Sequence, residues 1–206
     1  MINHLKASIE AADIHTSKLC YINDMSIPPG MSGKKVKHLL NNICSKKDTR
    51  YLEVGLWQGS TMCSALYNNE IRAIGVDNWS EYSGPREQFF SAIGKFVGKN
   101  KLTVAEGNCY EFFSSEKFNV FFFDGGHSVL DHYRAIAHFG PMMDNEFILI
   151  VDDFKSPEVY QGTGMAIADL RYDPIYENFL GADAPFHEDT ENWWNGVYCA
   201  VIRKPL

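Results

Sequence analysis

The sequence predicts a doubly wound α/β fold, in which a mostly parallel sheet lies between two layers of helices. From Arg50 onward, short apolar segments alternate with segments of helical period. Two of the apolar segments, residues 118–124 and 147–152, are nearly unbroken, as expected for strands buried on both faces. Gly55 and Gly59 stand at and just after the end of the first apolar segment, which begins at Tyr51, and glycines there let the chain turn sharply into a helix.

Length and composition indicate one globular domain with additional segments. The chain has 206 residues, of which 45% are hydrophobic and 22% are charged. This excludes intrinsic disorder as the main state. The net charge of −7 argues against a protein that grips nucleic acid over a wide face, so we expect no nucleic-acid partner. The net charge does not exclude a small anionic ligand in a local pocket.

Cysteine usage and hydropathy indicate a soluble, cytoplasmic protein without a membrane partner. The five cysteines are scattered and form no C-x-x-C pair, which favours neither a disulfide framework nor a zinc site. The first residues lack the apolar stretch of a secretory signal. The longest apolar runs are too short to cross a bilayer. The oligomeric state stays open, and a homo-oligomer is allowed.

Residues 1–48 are predicted to form an N-terminal helical cap, and residues 49–206 the main domain. Val36, Leu39, Leu40 and Ile43 have the spacing of one helix face. The loop at residues 27–33 is rich in proline and glycine and is a candidate lid.

Six strands and three helices follow in the predicted main domain. The strands are expected at residues 51–55, 72–77, 102–106, 118–124, 147–152 and 196–203. One helix follows the glycine turn; a second begins near Pro85 and buries Phe89 and Ile93. A third begins at Ser128, whose pairing with Asp131 resembles a capping box, and it buries a face that includes Val129 and Tyr133. The last strand follows no clear crossover helix, so we expect it to pair antiparallel at the sheet edge.

The first strand ends in a motif that favours a nucleoside cofactor. Ligands of open α/β sheets bind beyond the carboxyl ends of the strands. The motif Glu53-x-Gly55-x-x-x-Gly59 opens a helix whose free N–H groups can hold an anionic group. Asp77 ends the second strand about 20 residues later, where an acid can bind ribose hydroxyls.

The residues around this turn narrow the choice of cofactor. Ser60 and Thr61 can cap the new helix or contact the ligand. Trp57 stands where dinucleotide-binding turns have their middle glycine, which disfavours a pyrophosphate. S-Adenosylmethionine, which has no phosphate, suits the site better.

Three aspartates are predicted to converge on a divalent cation. Asp124 ends the fourth strand, and Asp152 and Asp153 end the fifth. Neighbouring carboxylates repel unless they are neutralised, and oxygen ligands suit Mg²⁺, Ca²⁺ or Mn²⁺. His127 would lie at the same cleft and, neutral beside a cation, could act as general base. The alternatives are a plain Asp-Gly turn, a helix cap and an exposed histidine.

The motifs together resemble class I S-adenosylmethionine-dependent methyltransferases, and more narrowly the metal-dependent O-methyltransferases of the catechol-type and macrocin-like sugar groups. The match covers residues 51–154, about half of the chain, and is specific mainly in the order of its strand ends. It rests on Glu53-x-Gly55-x-x-x-Gly59-x-Thr61, Asp77, Asp124-Gly-Gly-His127 and Asp152-Asp153.

The resemblance implies a Rossmann-like sheet of seven strands with an antiparallel C-terminal strand, and residues 49–206 as the methyltransferase domain. Gly55, Gly59 and Thr61 would lie by the methionine end of the cofactor and Asp77 by its ribose. Glu53, Ser60 and Asp124 are also expected among the cofactor-binding residues. Gly107 and Asn108 would approach the adenine, with Trp79 packed against it. Asp124, Asp152 and Asp153 would bind Mg²⁺, and His127 would deprotonate a small hydroxylated acceptor, for which a sugar is favoured.

Other functions remain open at this stage. A non-catalytic or metal-independent S-adenosylmethionine-binding domain fits the same first motif. A nucleic-acid methyltransferase is disfavoured because the Asn/Asp-Pro-Pro-aromatic motif is replaced by Asp124-Gly-Gly-His127. The acceptor pocket is expected among residues 27–33, 79–82 and 186–194, where Trp193 and Trp194 could stack on a ring or fill the core.

Overall fold

The computed structural model describes residues 1–22, 27–182 and 189–205. They form one seven-stranded sheet between two layers of helices. The strands are β1 (Arg50–Val54), β2 (Arg72–Asp77), β3 (Lys101–Glu106), β4 (Phe118–Phe123), β5 (Met143–Val151), β6 (Asp173–Leu180) and β7 (Val197–Arg203). The helices are α1 (Ile2–Asp13), α2 (Lys34–Ile43), α3 (Ser60–Leu66), α4 (Arg86–Ile93), α5 (Val129–Phe139) and α6 (Pro157–Asp169).

The sheet order is β3-β2-β1-β4-β5-β7-β6, which confirms the predicted Rossmann-like, doubly wound fold. Strands β1 to β5 are parallel, and β7 runs antiparallel to both of its neighbours. The chain proceeds outward from β1 to β3 and then returns to pair β4 on the other side of β1. This reversal is the topological switch point where ligands of such sheets bind.

Successive side chains of the central strands point to opposite faces of the sheet, so each strand contributes to both hydrophobic layers. On β1, Tyr51 packs with residues of α1 to α4, whereas Leu52 and Val54 pack with residues of α5 and α6. The aromatic run on β4 divides in the same way: Phe122 joins the first layer, and Phe121 joins the second. A strand covered on both faces has no solvated side, which is why this run is unbroken in the sequence.

The N-terminal segment belongs to the first of these layers. Leu39 and Leu40 are fully buried in the cluster that also contains Tyr51, as the helical spacing predicted. The N–H groups of Lys34 and Lys35, at the start of α2, donate to the carbonyls of Thr190 and Asn192. No helix in the described part of the chain is long and apolar enough to span a membrane.

Three sequence predictions needed correction at the second layer and the sheet edge. Strand β7 lies between β5 and β6 and not at the edge, because α6 and β6, which the sequence analysis missed, precede it. Edge strand β6 contains Pro174, Glu177 and Asn178, so it lacks the apolar run of a central strand. On α5 the capping box at Ser128 is present, and the predicted face of Val129, Tyr133, Ile136 and Ala137 is confirmed only in part: Ile136 is buried and Tyr133 packs against the core, whereas Val129 and Ala137 are half-buried. Its buried residues are His132, Ala135, Ile136 and Phe139.

Candidate active site

The carboxyl ends of the central strands meet at one edge of the sheet. Backbone bonds tie them together: the N–H of Asp124 donates to Val54 O at 2.9 Å, and the N–H of Asp152 donates to Phe123 O at 3.1 Å. The predicted adjacency of β4 and β5 is confirmed by their parallel pairing. The acids that end separate strands in the sequence are therefore neighbours in space.

Gly55 allows the turn after β1 to cross the end of β4. Its φ is +92°, and a Cβ at this position would lie 1.8 Å from the backbone oxygen of Asp124. Only glycine fits both the angle and this close approach. Gly59 also has a positive φ, +88°, and a Cβ there would lie 2.8 Å from the Phe89 ring. The two predicted glycines thus shape the turn for steric reasons.

A cavity of about 450 Å³ lies over the strand ends. Its described lining includes most of the residues that the sequence analysis assigned to the site. These are Gly55, Ser60, Thr61, Asp77, Trp79, Asp124, His127 and Asp153. Gly59, Glu53 and Asp152 do not line the cavity but lie directly behind residues that do.

Asp77 binds the glycine turn before any ligand arrives. Its Oδ2 accepts the N–H groups of Leu56 and Trp57 at 2.6 and 2.9 Å, and its Oδ1 accepts the N–H of Trp79 at 2.6 Å. A carboxylate has about four acceptor positions, so room for a ribose hydroxyl remains. The side chain of Asp77 therefore holds two loops of the cavity together.

Glu53 is fully buried beneath the turn. Its carboxyl oxygens accept hydrogen bonds from the hydroxyls of Tyr51 and Thr61, both at 2.6 Å. Burial raises the pKa of Glu53 to about 7, against the effect of these two donors. Glu53 thus positions Thr61, which does line the cavity.

Asp124, His127 and Asp153 converge on one wall of the cavity. One ligand atom from each lies within 4.8 Å of the others, and His127 Nε2 is 2.8 Å from Asp153 Oδ2. Asp152, which was predicted as the third ligand, is 2% exposed and accepts the Ser32 hydroxyl at 3.2 Å. The histidine joins Asp124 and Asp153 in this set of donor atoms, and Asp152 lies behind them with its Oδ1 unpaired among the described residues.

Burial and mutual repulsion dominate the electrostatics of this wall. The pKa values of Asp124 and Asp152 are raised well above the usual range, first by burial and then by the neighbouring carboxylates. The pKa of His127 is raised chiefly by its hydrogen bond to Asp153. Without a counter-charge the carboxyl groups therefore resist ionisation, and the imidazole favours its charged form.

The donor atoms fit a divalent cation. Asp152 Oδ1 and Asp153 Oδ1 are buried and have no hydrogen-bond partner among the described residues. A cation would satisfy such oxygens and relieve the repulsion between Asp124 and its neighbours. Carboxylates alone suit Mg²⁺, whereas a set that includes imidazole nitrogen also suits Mn²⁺ or other transition metals.

The remaining predicted residues lie at different distances from the cavity. Gly107 and Asn108 are exposed and outside its lining, although Gly107 N–H donates to Asp77 O at 3.0 Å. Trp193 belongs to the core, whereas Trp194 lines the cavity. The lid candidate contributes Gly30, Met31 and Ser32 to the wall. Residues 186–188 of the predicted acceptor pocket lie outside the described residues.

Several lining residues were not identified from the sequence as ligand contacts. They are Leu56, Trp57, Gly125, Ser156 and Asn195. Trp57 was considered only as a missing glycine, yet it adopts φ +43° in the turn, and its buried Nε1 has no partner among the described residues. Trp79, Tyr82, Asp153 and Trp194 also combine positive φ with a place in the lining. Such strained backbone clusters at ligand sites, but it leaves no mark in sequence periodicity.

Comparisons with known proteins identify the fold. No family model matches the chain, and no curated protein matches its sequence. Among solved structures it is similar to an O-methyltransferase from Bacillus cereus in complex with S-adenosylhomocysteine, at 11% identity and a TM-score of 0.54, over 98% of this chain and 91% of that one.

Two further structures are similar to a comparable degree. The O-methyltransferase TomG from Streptomyces achromogenes, in complex with S-adenosylmethionine, matches at 12% identity and a TM-score of 0.56, over 95% of this chain and 89% of that one. A candidate RNA methyltransferase from Pyrococcus horikoshii matches at 14% identity and a TM-score of 0.54, over the full length of both chains. The chain therefore has the Rossmann-like fold of S-adenosylmethionine-dependent methyltransferases.

Proposed function

We propose that this protein transfers a methyl group from S-adenosylmethionine to a hydroxyl group of a small acceptor, with a sugar-containing compound favoured and a divalent cation, Mg²⁺ first, assisting. The observation that carries the proposal is the convergence of Asp124, His127 and Asp153 on the cavity beside the glycine turn. The fold shared with O-methyltransferases that bind S-adenosylmethionine or S-adenosylhomocysteine supports it.

The cofactor would lie along the glycine turn. Ser60 Oγ and Trp57 Nε1 are buried polar atoms of the lining without partners in the described structure, so they can bind its methionine part. Asp77 would accept a ribose hydroxyl. Trp79, held by its Nε1 bond to Trp57 O at 3.0 Å, would pack against the adenine, which Gly107 and Asn108 approach.

His127 would act on the acceptor. The sulfonium methyl is a strong electrophile, whereas a neutral hydroxyl is a weak nucleophile, so the proton must leave as the new C–O bond forms. In the neutral form of His127 one ring nitrogen can accept this proton, and Asp153, which is bound to Nε2, fixes the ring orientation. A cation held by Asp124 and Asp153, with Asp152 behind them, would lower the pKa of the hydroxyl.

The loop at residues 27–33 would act as the lid of this site. A Cβ on Gly30 would lie 2.3 Å from Ser60 Cβ, so the loop backbone rests on the start of α3. The hydroxyl of Ser32 reaches Asp152. The lid thus contacts both the cofactor side and the acidic side of the cavity, and it would exclude water from the transfer.

A second candidate function is methyl transfer without a metal. The hydrogen bond between His127 and Asp153 is the observation that favours it, because a histidine oriented by a carboxylate can act as a base unaided. A non-catalytic cofactor-binding domain would have no need of this pair.

The substitution Asp124→Asn tests the proposal. We expect calorimetry to give S-adenosylmethionine affinity within a few-fold of the parent, and a radiolabelled methyl assay over a panel of hydroxylated acceptors to give loss of Mg²⁺-stimulated turnover. Removal of Mg²⁺ with a chelator should have the same effect on the parent. Full turnover in both experiments would support the metal-independent alternative, and absence of cofactor binding by the parent would refute methyl transfer altogether.

A further inference from the structure

The part of the cavity wall that the structure describes carries acidic groups but no lysine or arginine side chain. Among the described lining residues the carboxyl groups belong to Asp77, Glu81, Asp124 and Asp153. Lys155 precedes the lining residue Ser156, but Lys155 itself is outside the lining, and its Cγ lies near Gly196. The proposed cation would offset the charges of Asp124 and Asp153, but Asp77 and Glu81 lie outside that group, so an acceptor that carries phosphate or carboxylate would meet their like charge.

Three of these four carboxyl groups already have a role in the protein. Asp77 accepts three backbone N–H groups, Asp153 contacts His127, and Asp124 lies half-buried beside that pair. Glu81 is different. It is exposed, and its side chain makes no hydrogen bond or ion pair with any described residue. Only its backbone carbonyl is used, as the acceptor for Gly84 N–H at 3.0 Å.

An exposed aromatic ring stands beside this carboxylate. Tyr82 lines the cavity and is 56% exposed, so its ring is accessible to a ligand in the cavity. Partial desolvation raises the pKa of Tyr82, and the charges of Glu81, Asp153 and Asp124 add to this rise, so the hydroxyl of Tyr82 lies within their field. A carboxylate next to an aromatic face is the combination that binds an ammonium group, by charge pairing and cation–π attraction.

We propose that the acceptor is a hydroxylated compound that carries a protonated amine, with the ammonium held between the Glu81 carboxylate and the Tyr82 ring while its hydroxyl reaches His127. This inference rests on the proposed function and narrows its substrate class. Uncharged acceptors would bind more weakly, and anionic ones would be excluded. Glu81 becomes the residue that determines specificity.

Two sets of matched probes test the charge preference on two scaffolds. The methyl glycosides of glucosamine, glucose and glucuronic acid differ mainly in charge, as do dopamine, 4-methylcatechol and 3,4-dihydroxyphenylacetate. Their affinities would be measured by ligand-observed NMR titration of the full chain with S-adenosylhomocysteine and Mg²⁺ present. Binding is the readout, so turnover on an unnatural acceptor is not required.

We expect each amine to bind about fivefold to tenfold more tightly than its neutral counterpart, and the anions to bind least. Glu81→Gln should remove that advantage by weakening the amines alone. Glu10→Gln, which removes the same charge from an exposed position on α1, is the matched control and should retain it. Added salt should reduce the preference in the parent.

Several results would overturn the inference. They are equal or tighter binding of the neutral or anionic probes, an unchanged preference in Glu81→Gln, and failure of both amines to bind at millimolar concentration. Calorimetry with S-adenosylmethionine distinguishes failure of the amine inference from failure of the proposed function. If the cofactor binds and the amines do not, only the substrate class is wrong; if the cofactor does not bind, the methyltransferase proposal itself fails.

Discussion

Glu53 is a fully buried carboxyl group whose two oxygens each accept one hydroxyl. The motif in the sequence predicted it as a cofactor contact, whereas its place below the cavity indicates that it acts through Thr61. Its folded-state pKa of about 7 lies above the usual value of 4.5 for a glutamate carboxyl group. The folded protein therefore holds this proton more tightly than the unfolded chain does, and the contribution to stability is lost as the pH rises from about 4.5 through 7.

Glu53→Gln should consequently become more stable relative to the parent as the pH rises through this window. Glutamine keeps the volume and can bond both hydroxyls without carrying a charge. Above pH 7 the gain in free energy of unfolding should be on the order of 3 kcal/mol, and near pH 4 it should vanish. Urea denaturation at a series of pH values measures this difference. If the difference in free energy of unfolding between Glu53→Gln and the parent does not change with pH, Glu53 does not titrate as described. Glu10→Gln controls for the lost charge.

His127 was identified from the sequence as a base, and the structure adds its partner, Asp153. His127→Ala should lower kcat/KM by roughly 10²- to 10⁴-fold for an aliphatic hydroxyl, and much less for an acidic phenol, which needs less help to lose its proton. The acidic limb of the pH–rate profile should disappear with the imidazole. His138→Ala, near the end of α5 and outside the cavity lining, is the control. A profile identical to the parent's would remove His127 from the proton transfer.

At the scale of elements, the turn between β1 and α3 determines the site. It is held from below by the tight contact of Gly55 with Asp124 and from the side by Asp77. Three elements therefore depend on one another: the glycine turn, the loop after β2 and the end of β4. The sequence predicted the glycines, because a sharp strand-to-helix turn needs them. It could not predict that Asp77 would bond this turn, since the bond joins segments about 20 residues apart.

Gly55→Ala should disrupt this arrangement. The added Cβ would meet the Asp124 carbonyl at 1.8 Å with φ at +92°, so the backbone must move. We expect a loss of roughly 3 kcal/mol or more in the free energy of unfolding, together with loss of S-adenosylmethionine binding. Gly94→Ala is the matched control, because nothing lies within 4 Å of a Cβ there and its φ is −56°. Thermal denaturation and calorimetry measure both effects, and wild-type affinity in Gly55→Ala would contradict the account of the turn.

At the scale of the whole molecule, charge separates the candidate partners. The fold is shared with O-methyltransferases and with a candidate RNA methyltransferase, so topology does not choose between small and large acceptors. The net charge of −7 and the acidic lining of the cavity favour a small acceptor over a polyanion.

The protein should therefore not bind nucleic acid at physiological salt. Fluorescence anisotropy with a labelled RNA hairpin and a labelled single-stranded DNA should give no saturation up to roughly 0.1 mM protein, the weak end of non-specific binding. The acceptor panel, measured in the same buffer, shows that the protein is folded and competent. Salt-dependent binding in the micromolar range would instead favour the nucleic-acid alternative.

The sequence by itself determined the α/β class, the order of the strand ends and the chemical character of the site, because apolar periodicity and glycine turns are local signals. Only the tertiary structure decided which acids share a wall: Asp124 and Asp153 meet His127, whereas Asp152 turns to Ser32. It also placed β7 inside the sheet and a loop from the N-terminal segment against the cavity. The physical reason is that side-chain direction and strand order depend on contacts between distant segments, and these become defined only when the core packs.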